Sequence, residues 1–420
     1  MKKIKSNTLD NIINETIGNI ISEEDNPAFD RSSKTVSSSL EDIWNVIDNK
    51  QEELQKDIFG ALEDEILDIT KEKAKSMGYD YLRVPRKICT AGNKKLPPSV
   101  LIINMSSSLM CPSFYLGICT VKSGACYAQT GENRRTTNVL PNRWQTDLMH
   151  TQMLQMYKKG DKKPMRDYFN IIETYIQLGH AYSAALVRNA VNDIKKRGEE
   201  ITEEEIEGLH KHFKKYEISD VRLNETGDFQ CQLAVDLWAK FAEKIRKKYG
   251  IKTHTYTARN LDFSKASKVM AVNTSHDGIN VGDEKERKFR VVNDAKYDSL
   301  EGGDEVNNGQ PKLGFKNGKY FYKCPCSGDS TECGDCRVCY DRNKTGVPYT
   351  IYVKYHGMTA ANGLKSLFTK DEVKNVIEKL YKNGWITEEE YQSWSSERNQ
   401  KRLDKLSRDI TDKRKKNSKK

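Results

Sequence analysis

The sequence predicts an α/β fold, a partial or complete TIM-like (β/α) barrel with helical N- and C-terminal extensions. Three observations carry that prediction. Strand-like runs at Ile218–Leu223, Lys252–Thr257 and Lys268–Asn273 alternate with helical patterns, the clearest being Leu233–Lys248. Strands spaced by helices of this length favour a parallel sheet, open or closed as a barrel. An earlier apolar run, Ser99–Ser106, follows Pro97-Pro98 and reads as a buried first strand.

The remaining elements fall around that core. Residues 1–80 form a helical N-terminal extension, with Leu40, Ile43, Trp44 and Ile47, then Leu54, Ile58, Leu62, Ile66 and Ile69 at helical spacing. A packing or partner helix accounts for them without any chemistry. The core spans 84–360, with a helix over Asn142–Lys158 and later strands at Phe289–Asn293 and Thr350–Lys354. A helical insertion covers about 160–216, broken near Arg197-Gly198-Glu199-Glu200, and a Cys-rich segment covers 324–340. Residues 365–420 form a charged, basic helical tail that opens on Thr369-Lys370-Asp371-Glu372, a capping start.

Hydrophobic residues make up 36% of the 420 and charged residues 31%, the latter above the usual quarter or so. Much of the charge must therefore lie on solvated helix faces. Net charge is +10, and Lys401–Lys420 supplies ten Lys/Arg against three Asp, hence +7 of it. Such a tail suits nucleic acid, because it displaces counterions from phosphates; a solvated helix end is the plainer account. No apolar run reaches the ~18 residues of a membrane span, and Met1–Ile21 lacks a signal-type apolar core. The expectation is a cytoplasmic protein without membrane contact. In that reducing setting, ten cysteines point to metal or catalysis before disulfides.

Eight of the ten lie in two groups. The first, Cys111-x7-Cys119-x6-Cys126, follows directly on the first predicted strand. Barrel enzymes place reactive groups on loops at the carboxyl ends of strands. Three thiolates can hold a four-iron cluster with one iron left open, or zinc with His150 or water as fourth ligand. The second group is denser: Cys324, Cys326, Cys333, Cys336 and Cys339. A zinc ion or a second iron–sulfur cluster takes four of these, leaving Cys324 or Cys326 spare. Cys326 is nearer the run and joins Cys333, Cys336 and Cys339 in the expected set. Cys89 and Cys231 stand alone and read as small buried hydrophobes.

Polar residues gather at the predicted strand ends, where ligands bind in α/β folds. The first strand of the alternation delivers Arg222, Asn224, Glu225, Thr226, Gly227 and Asp228. Gly227 permits close backbone approach. Asp228 suits a ribose contact, a base or a nucleophile, or equally an N-cap for a helix beginning near Gln230. The next strands deliver Tyr256, Thr257 and Arg259, a residue suited to carboxylate or phosphate, then Asn273, Ser275, His276 and Asp277. His356 lies near the second cysteine group in sequence.

Taken together, Cys126-Tyr127-Ala128, Arg222 with Gly227-Asp228, Tyr256-Thr257-Ala258-Arg259, the Cys333/Cys336/Cys339 run, Gly346 and Lys354-Tyr355-His356 resemble a phage-associated family, the gene-product-88-like proteins. That family looks like a distant relative of radical S-adenosylmethionine (radical-SAM) barrels. The resemblance spans roughly residues 90–357. Radical-SAM loops normally read Cys-x3-Cys-x2-Cys, whereas the spacings here are seven and six. The resemblance implies an enzyme in which Cys111, Cys119 and Cys126 bind a 4Fe–4S cluster that engages S-adenosylmethionine. Asp228 and Asn224, with Gly227, Arg222, Thr257 and Asn273, would hold that cofactor, and Arg259 the substrate, a small molecule or nucleotide. The second cysteine group would carry an auxiliary iron–sulfur or zinc centre. If phage-encoded, the protein works in the host cytoplasm. Two other readings stay open: a zinc-containing barrel of guanine-transglycosylase type acting on nucleic-acid bases, and a non-enzymatic, metal-stabilised binding protein.

Overall fold

The computed structural model describes residues 89–405 apart from 94–95, 106–110, 120–138, 215–216, 276–277, 284, 293, 308–309, 326–332 and 355–369. The chain enters with strand β1 (Thr90–Ala91) and β2 (Val100–Ile103), then a short helix α1 (Pro112–Tyr115). Helices α2 (Val139–Lys158), α3 (Lys163–Lys196) and α4 (Glu203–Phe213) lead to β3 (Asp220–Leu223). After α5 (Gln232–Tyr249) come β4 (Lys252–Thr257), β5 (Ala271–Thr274) and β6 (Arg287–Val292). A smaller set follows: α6 (Asp294–Asp298), β7 (Val306–Asn307), β8 (Gln310–Pro311), β9 (Gly314–Lys316), β10 (Lys319–Lys323), α7 (Cys333–Cys336) and β11 (Tyr349–Lys354). Helices α8 (Lys370–Lys382) and α9 (Glu388–Ser395) close the described chain.

Nine strands form one mixed sheet in the order β1-β2-β3-β4-β5-β6-β11-β10-β9. The seven central strands run parallel; β1 and β9 pair antiparallel at the two edges. The α/β expectation therefore holds. The complete barrel does not: the sheet is open among the described residues, because β1 and β9 each pair with one neighbour only. The hairpin β9–β10 and the small β7–β8 pair were not expected from sequence. Of the described helices, none is long and apolar enough to cross a membrane.

Strand alternation gives the sheet two different faces. Leu101, Ile103, Val221, Leu223 and Val272 point to the helical side and share one core with α2, α3 and α5. Helix α5 fits this role because Ala234, Leu237, Trp238, Phe241 and Ile245 fall on one side and are buried. It stops at Gly250, whose φ of 71° is the left-handed C-terminal geometry, with Arg246, Lys247 and Lys248 in the last turn. Met165, Tyr168, Ile172, Tyr175 and Ile176 bury the N-terminal half of α3 in the same core. This part of the expected insertion therefore belongs to the crossover between β2 and β3. Helix α4 buries no side chain and is held by a Thr202/Glu205 capping box.

The opposite face is lined by Ile102, Arg222 and His254 in one cross-strand row and by Tyr256 and Asn273 in the next. The Cys-rich segment covers it, with Tyr340, Cys333 and Cys339 against Val100 and Ile102.

The C-terminal helices are part of this body. Trp385 joins the main core, and Glu390 forms an ion pair with Arg259 in which both side chains are fully buried. Arg259 Nε donates to Glu390 Oε1 at 2.6 Å and Nη2 to Oε2 at 2.9 Å. Glu390 is also the third residue of a capping box that starts α9 at Thr387. Burial pushes the Glu390 carboxyl up, but the Arg259 charge and hydrogen bonds from Arg259, Thr387 and Asn260 hold it below the ordinary glutamate range.

Removing one partner of a buried pair leaves the other charge uncompensated. Arg259→Met is therefore expected to cost about 3–5 kcal/mol in urea unfolding, and Arg259→Met with Glu390→Leu to recover most of that loss. Because the folded Glu390 carboxyl is depressed, its contribution is present above the unfolded value of about 4.3 and fades as pH falls through the folded value. The stability gap between wild type and Glu390→Gln should accordingly narrow on acidification below pH ~4; a gap that widens there refutes this account of the pair.

Candidate functional site

The carboxyl ends of β2, β3 and β4 lie side by side, and Asp228 ties them together. Its Oδ2 accepts from Ser113 Oγ at 2.8 Å and from the Ala258 N–H at 2.8 Å. Its Oδ1 accepts from Thr257 Oγ1 at 2.8 Å and the Phe229 N–H at 2.9 Å. Ser113 lies two residues beyond Cys111, so this carboxylate anchors the first cysteine loop to the end of β4. Burial pushes the Asp228 carboxyl above its usual range, against the downward pull of the Ala258 N–H, Arg259, Ser113 and Thr257. Helix α5 takes Cys231 as its N-cap with no side-chain cap bond, so Asp228 is not the helix cap that the sequence allowed.

The start of the same loop is fixed independently. The Met105 carbonyl accepts from Gln230 Nε2 at 2.6 Å and lies 3.3 Å from His150 Nδ1, while the Met105 N–H reaches Asn224 Oδ1 at 3.4 Å. The Asn224 backbone adopts φ 57°, a left-handed geometry that Asn tolerates better than most residues. That turn carries the chain back toward β2, where the Thr226 N–H meets Asn104 Oδ1 at 2.9 Å. Gly227 follows with φ 77°.

The C-terminal segment closes over α1. Ser393 Oγ donates to the Leu116 carbonyl at 3.1 Å, Asn399 Nδ2 to the Tyr115 carbonyl at 3.1 Å, and Arg402 Nη2 to the Phe114 carbonyl. Gly117 has φ 74°, and a Cβ there would run into the Asn399 side chain. Sequence reasoning missed Ser113, Glu390, Asn399 and Arg402. Only Glu390 carried a signal, its Thr387-x-x-Glu390 box, and that signal says nothing about Arg259.

Several expected roles change. Arg259 was expected to hold substrate, but its five N–H groups are all taken within the protein. Nε and Nη2 meet Glu390, Nη2 also meets the Trp385 carbonyl, and Nη1 meets the carbonyls of Phe229 and Gln230. It is a strut between β4 and α9. Thr257 serves Asp228 and accepts from the Arg259 N–H at 3.1 Å. Asn273 Nδ2 donates to the carbonyls of Thr255 and Cys339, and its Oδ1 accepts from Arg287 Nε at 2.7 Å. His150, the alternative zinc ligand, sits in the aromatic core, 4.8 Å from Tyr168 and 6.4 Å from Trp238 between ring centres. Burial pushes its imidazole down to about 4. Cys89 and Cys231 are both buried in the main core.

Two buried polar atoms at the strand ends have no partner among the described residues: Asn224 Nδ2 and Gln230 Oε1. These remain available to a ligand. Cys111 and Cys119 flank α1, with Cys119 exposed. Cys126, Cys326, His276, Asp277 and His356 lie outside the described residues. Arg222 stacks on Tyr256 at 5.1 Å. Beside it His254 stacks on Tyr340 at 4.2 Å with both ring nitrogens unpartnered among the described residues. Burial drives the His254 imidazole far below its ordinary range, helped by Arg222, Arg287 and Arg337. Among the described residues, no three Cys, His, Asp or Glu side chains converge as they stand on a point that could hold a metal ion.

Asp228→Asn replaces one acceptor oxygen by an N–H donor facing donors that are already in place. The expected cost is about 1–3 kcal/mol, read by urea unfolding, with faster protease cleavage in the 105–125 stretch. Unchanged stability and cleavage would remove Asp228 from its anchoring role. No family model, curated protein or solved structure matches the chain.

Proposed function

We propose that the protein is a radical-SAM-like iron–sulfur enzyme, with Cys111, Cys119 and Cys126 as the cluster ligands and a small-molecule or nucleotide substrate. The observation that carries this reading is the anchoring of the first cysteine loop at the carboxyl end of β2. The Met105 carbonyl is fixed by Gln230 and His150, and Ser113 by Asp228. The donor set is chemically suited to iron, since soft thiolates are the usual ligands of such clusters. When bound, a four-iron cluster with one open iron supplies one-electron reduction of a sulfonium nucleotide.

The chain's own residues position and bind. Asp228, closed off by four protein hydrogen bonds, is a positioning residue that holds Ser113 and hence Cys111. Asn224 offers a buried amide donor and Gln230 a buried acceptor to the polar groups of a cofactor at the same edge. Arg259 and Glu390 fix the C-terminal helices over α1, against the carbonyls of Tyr115 and Leu116.

A metal-stabilised binding protein is the second reading, favoured by the internal commitment of both Asp228 and Arg259. The transglycosylase-type reading is weakened by the same observation, because it needs Asp228 free to contact a base.

Anaerobic purification and reconstitution separate these. The enzyme reading expects about four iron and four sulfide per 4Fe–4S cluster, loss of that cluster in Cys126→Ala, and release of 5′-deoxyadenosine from S-adenosylmethionine under reduction. Asn224→Ala is expected to raise the S-adenosylmethionine concentration needed for half-maximal cleavage by tenfold or more, with the cluster retained. A colourless wild-type protein without iron would sink the reading.

A further inference from the structure

The second cysteine group lies on the face of the sheet opposite the helices, and its surroundings carry a charge imbalance. Arg287 is 3% exposed. Its guanidinium donates to Asn273 Oδ1 at 2.7 Å and to the carbonyls of Val338 at 2.5 Å, Asp341 at 2.6 Å and Cys339 at 3.2 Å. These acceptors are neutral, as is the Tyr349 phenol that it also meets, and no carboxylate pairs with Arg287 among the described residues. Its neighbour Arg337 differs in this respect, meeting Asp220 at 2.8 Å. A buried cation that has hydrogen bonds but no opposite charge is costly. Two groups that can become anionic feel its charge, the Cys339 thiol and the Tyr349 phenol, and a thiol is ordinarily the more acidic of the two.

The thiols are grouped by the backbone. Cys333 and Cys336 sit three apart on α7, hence on one side of a helical turn. The Cys339 carbonyl is pinned by Asn273 and Arg287. Cys324 is pinned at the end of β10: its N–H meets the Tyr352 carbonyl at 2.9 Å, and its carbonyl accepts from Tyr297 Oη at 2.8 Å. Cys324, Cys333, Cys336 and Cys339 all pack into one small cluster around Tyr322, Tyr349 and Ile351. Two phenols reach the sulfurs: Tyr322 Oη lies 3.4 Å from Cys336 Sγ, and Tyr256 is hydrogen-bonded to Cys339. Hydrogen bonds to sulfur are the usual outer support of a thiolate centre. The sulfurs do not yet meet at one point, but a staggered χ1 step swings each by about 3 Å.

We propose that Cys324, Cys333, Cys336 and Cys339 bind one tetrathiolate metal centre, zinc or an iron–sulfur cluster, with Arg287 as its buried counter-charge. This rests on the metal–thiolate part of the reading above and identifies Cys324, in place of Cys326, as the fourth ligand. Four thiolates outweigh the charge of a divalent zinc ion, and four thiolate-ligated irons also leave a net negative centre. Either gives Arg287 the opposite charge that its neutral acceptors lack.

The test uses the full chain, purified without oxygen, as wild type and as the Cys111→Ala/Cys119→Ala/Cys126→Ala variant. Zinc, iron and sulfide are quantified in both. The triple variant is expected to keep one centre, and its zinc-to-iron ratio identifies the metal. Wild-type protein is then alkylated natively with iodoacetamide, before and after chelation, and the labelled cysteines are mapped by peptide mass. Cys324, Cys333, Cys336 and Cys339 should be protected at first and become at least tenfold more reactive after chelation, while Cys326 labels equally in both. Cys326→Ser should retain the metal. Protection of Cys326 with free labelling of Cys324 would overturn the assignment, as would metal loss in Cys326→Ser, a metal-free triple variant, or labelling that chelation leaves unchanged. Absence of S-adenosylmethionine cleavage with this centre intact would instead remove only the radical-SAM reading.

Discussion

The buried carboxylate of Asp228 is the constraint on which the site depends. Parallel strands end at one edge of a sheet, but nothing in a parallel ladder holds the loops beyond that edge to one another. Asp228 supplies the link, taking one hydroxyl from the β2 side through Ser113 and another from β4 through Thr257. Its burial is opposed by the cost of removing a carboxylate from water, which four donors and the nearby Arg259 charge offset. The Arg259–Glu390 pair extends the same logic outward. One guanidinium gathers the carbonyls of Phe229, Gln230 and Trp385 with the Glu390 carboxylate, so the loop after β3 and the C-terminal helices are fixed to β4 through a single side chain.

The two faces of the sheet solve different problems. The helical face is an ordinary apolar core, where Trp238, Phe241, Leu101 and Val221 remove hydrocarbon from water. The other face buries His254, Asn273 and Arg287 and half-buries Arg222 and Tyr256. Residues of this kind add little hydrophobic stabilisation and demand partners. Their presence under a cysteine-rich cover means that the cover is chosen for its polar chemistry, with carbonyls from Val338, Cys339 and Asp341 turned inward to meet Arg287.

Much of the architecture was legible because strand and helix periods are local properties. Lys252–Thr257 was read to the residue, and α5 and β3 to within one or two residues at each end. What escaped depends on partners far away in sequence. Thr387-Glu388-Glu389-Glu390 announces a helix start, yet its pairing with Arg259, 131 positions earlier, is a tertiary fact. The charged composition of the C-terminal region suggested an extension, because the residues that bury it, among them Val373, Ile377, Trp385, Ile386, Trp394 and Leu403, are scattered among many charged ones. The edge hairpin β9–β10 was missed since Gly314–Lys323 is rich in Lys and Gly and exposes Phe315. At the site, the sequence shows polar residues at the strand ends, but it does not show which of them already have protein partners.

That distinction between engaged and available groups decides what the strand ends can do. Asp228, Thr257, Asn273 and Arg259 are held by other parts of the chain, and each fixes the position of something else. Asn224 and Gln230 each keep one polar atom without a partner among the described residues. The same strand joins the two cysteine regions: alternation turns Tyr256 toward Cys339 and the next residue, Thr257, toward Asp228. Strand β4 is therefore a rigid spacer with one cysteine group set against its inner face and the other anchored at its carboxyl end. Rigid backbone between them means that the separation of Cys339 from the Ser113 anchor is fixed by the sheet and not by either loop.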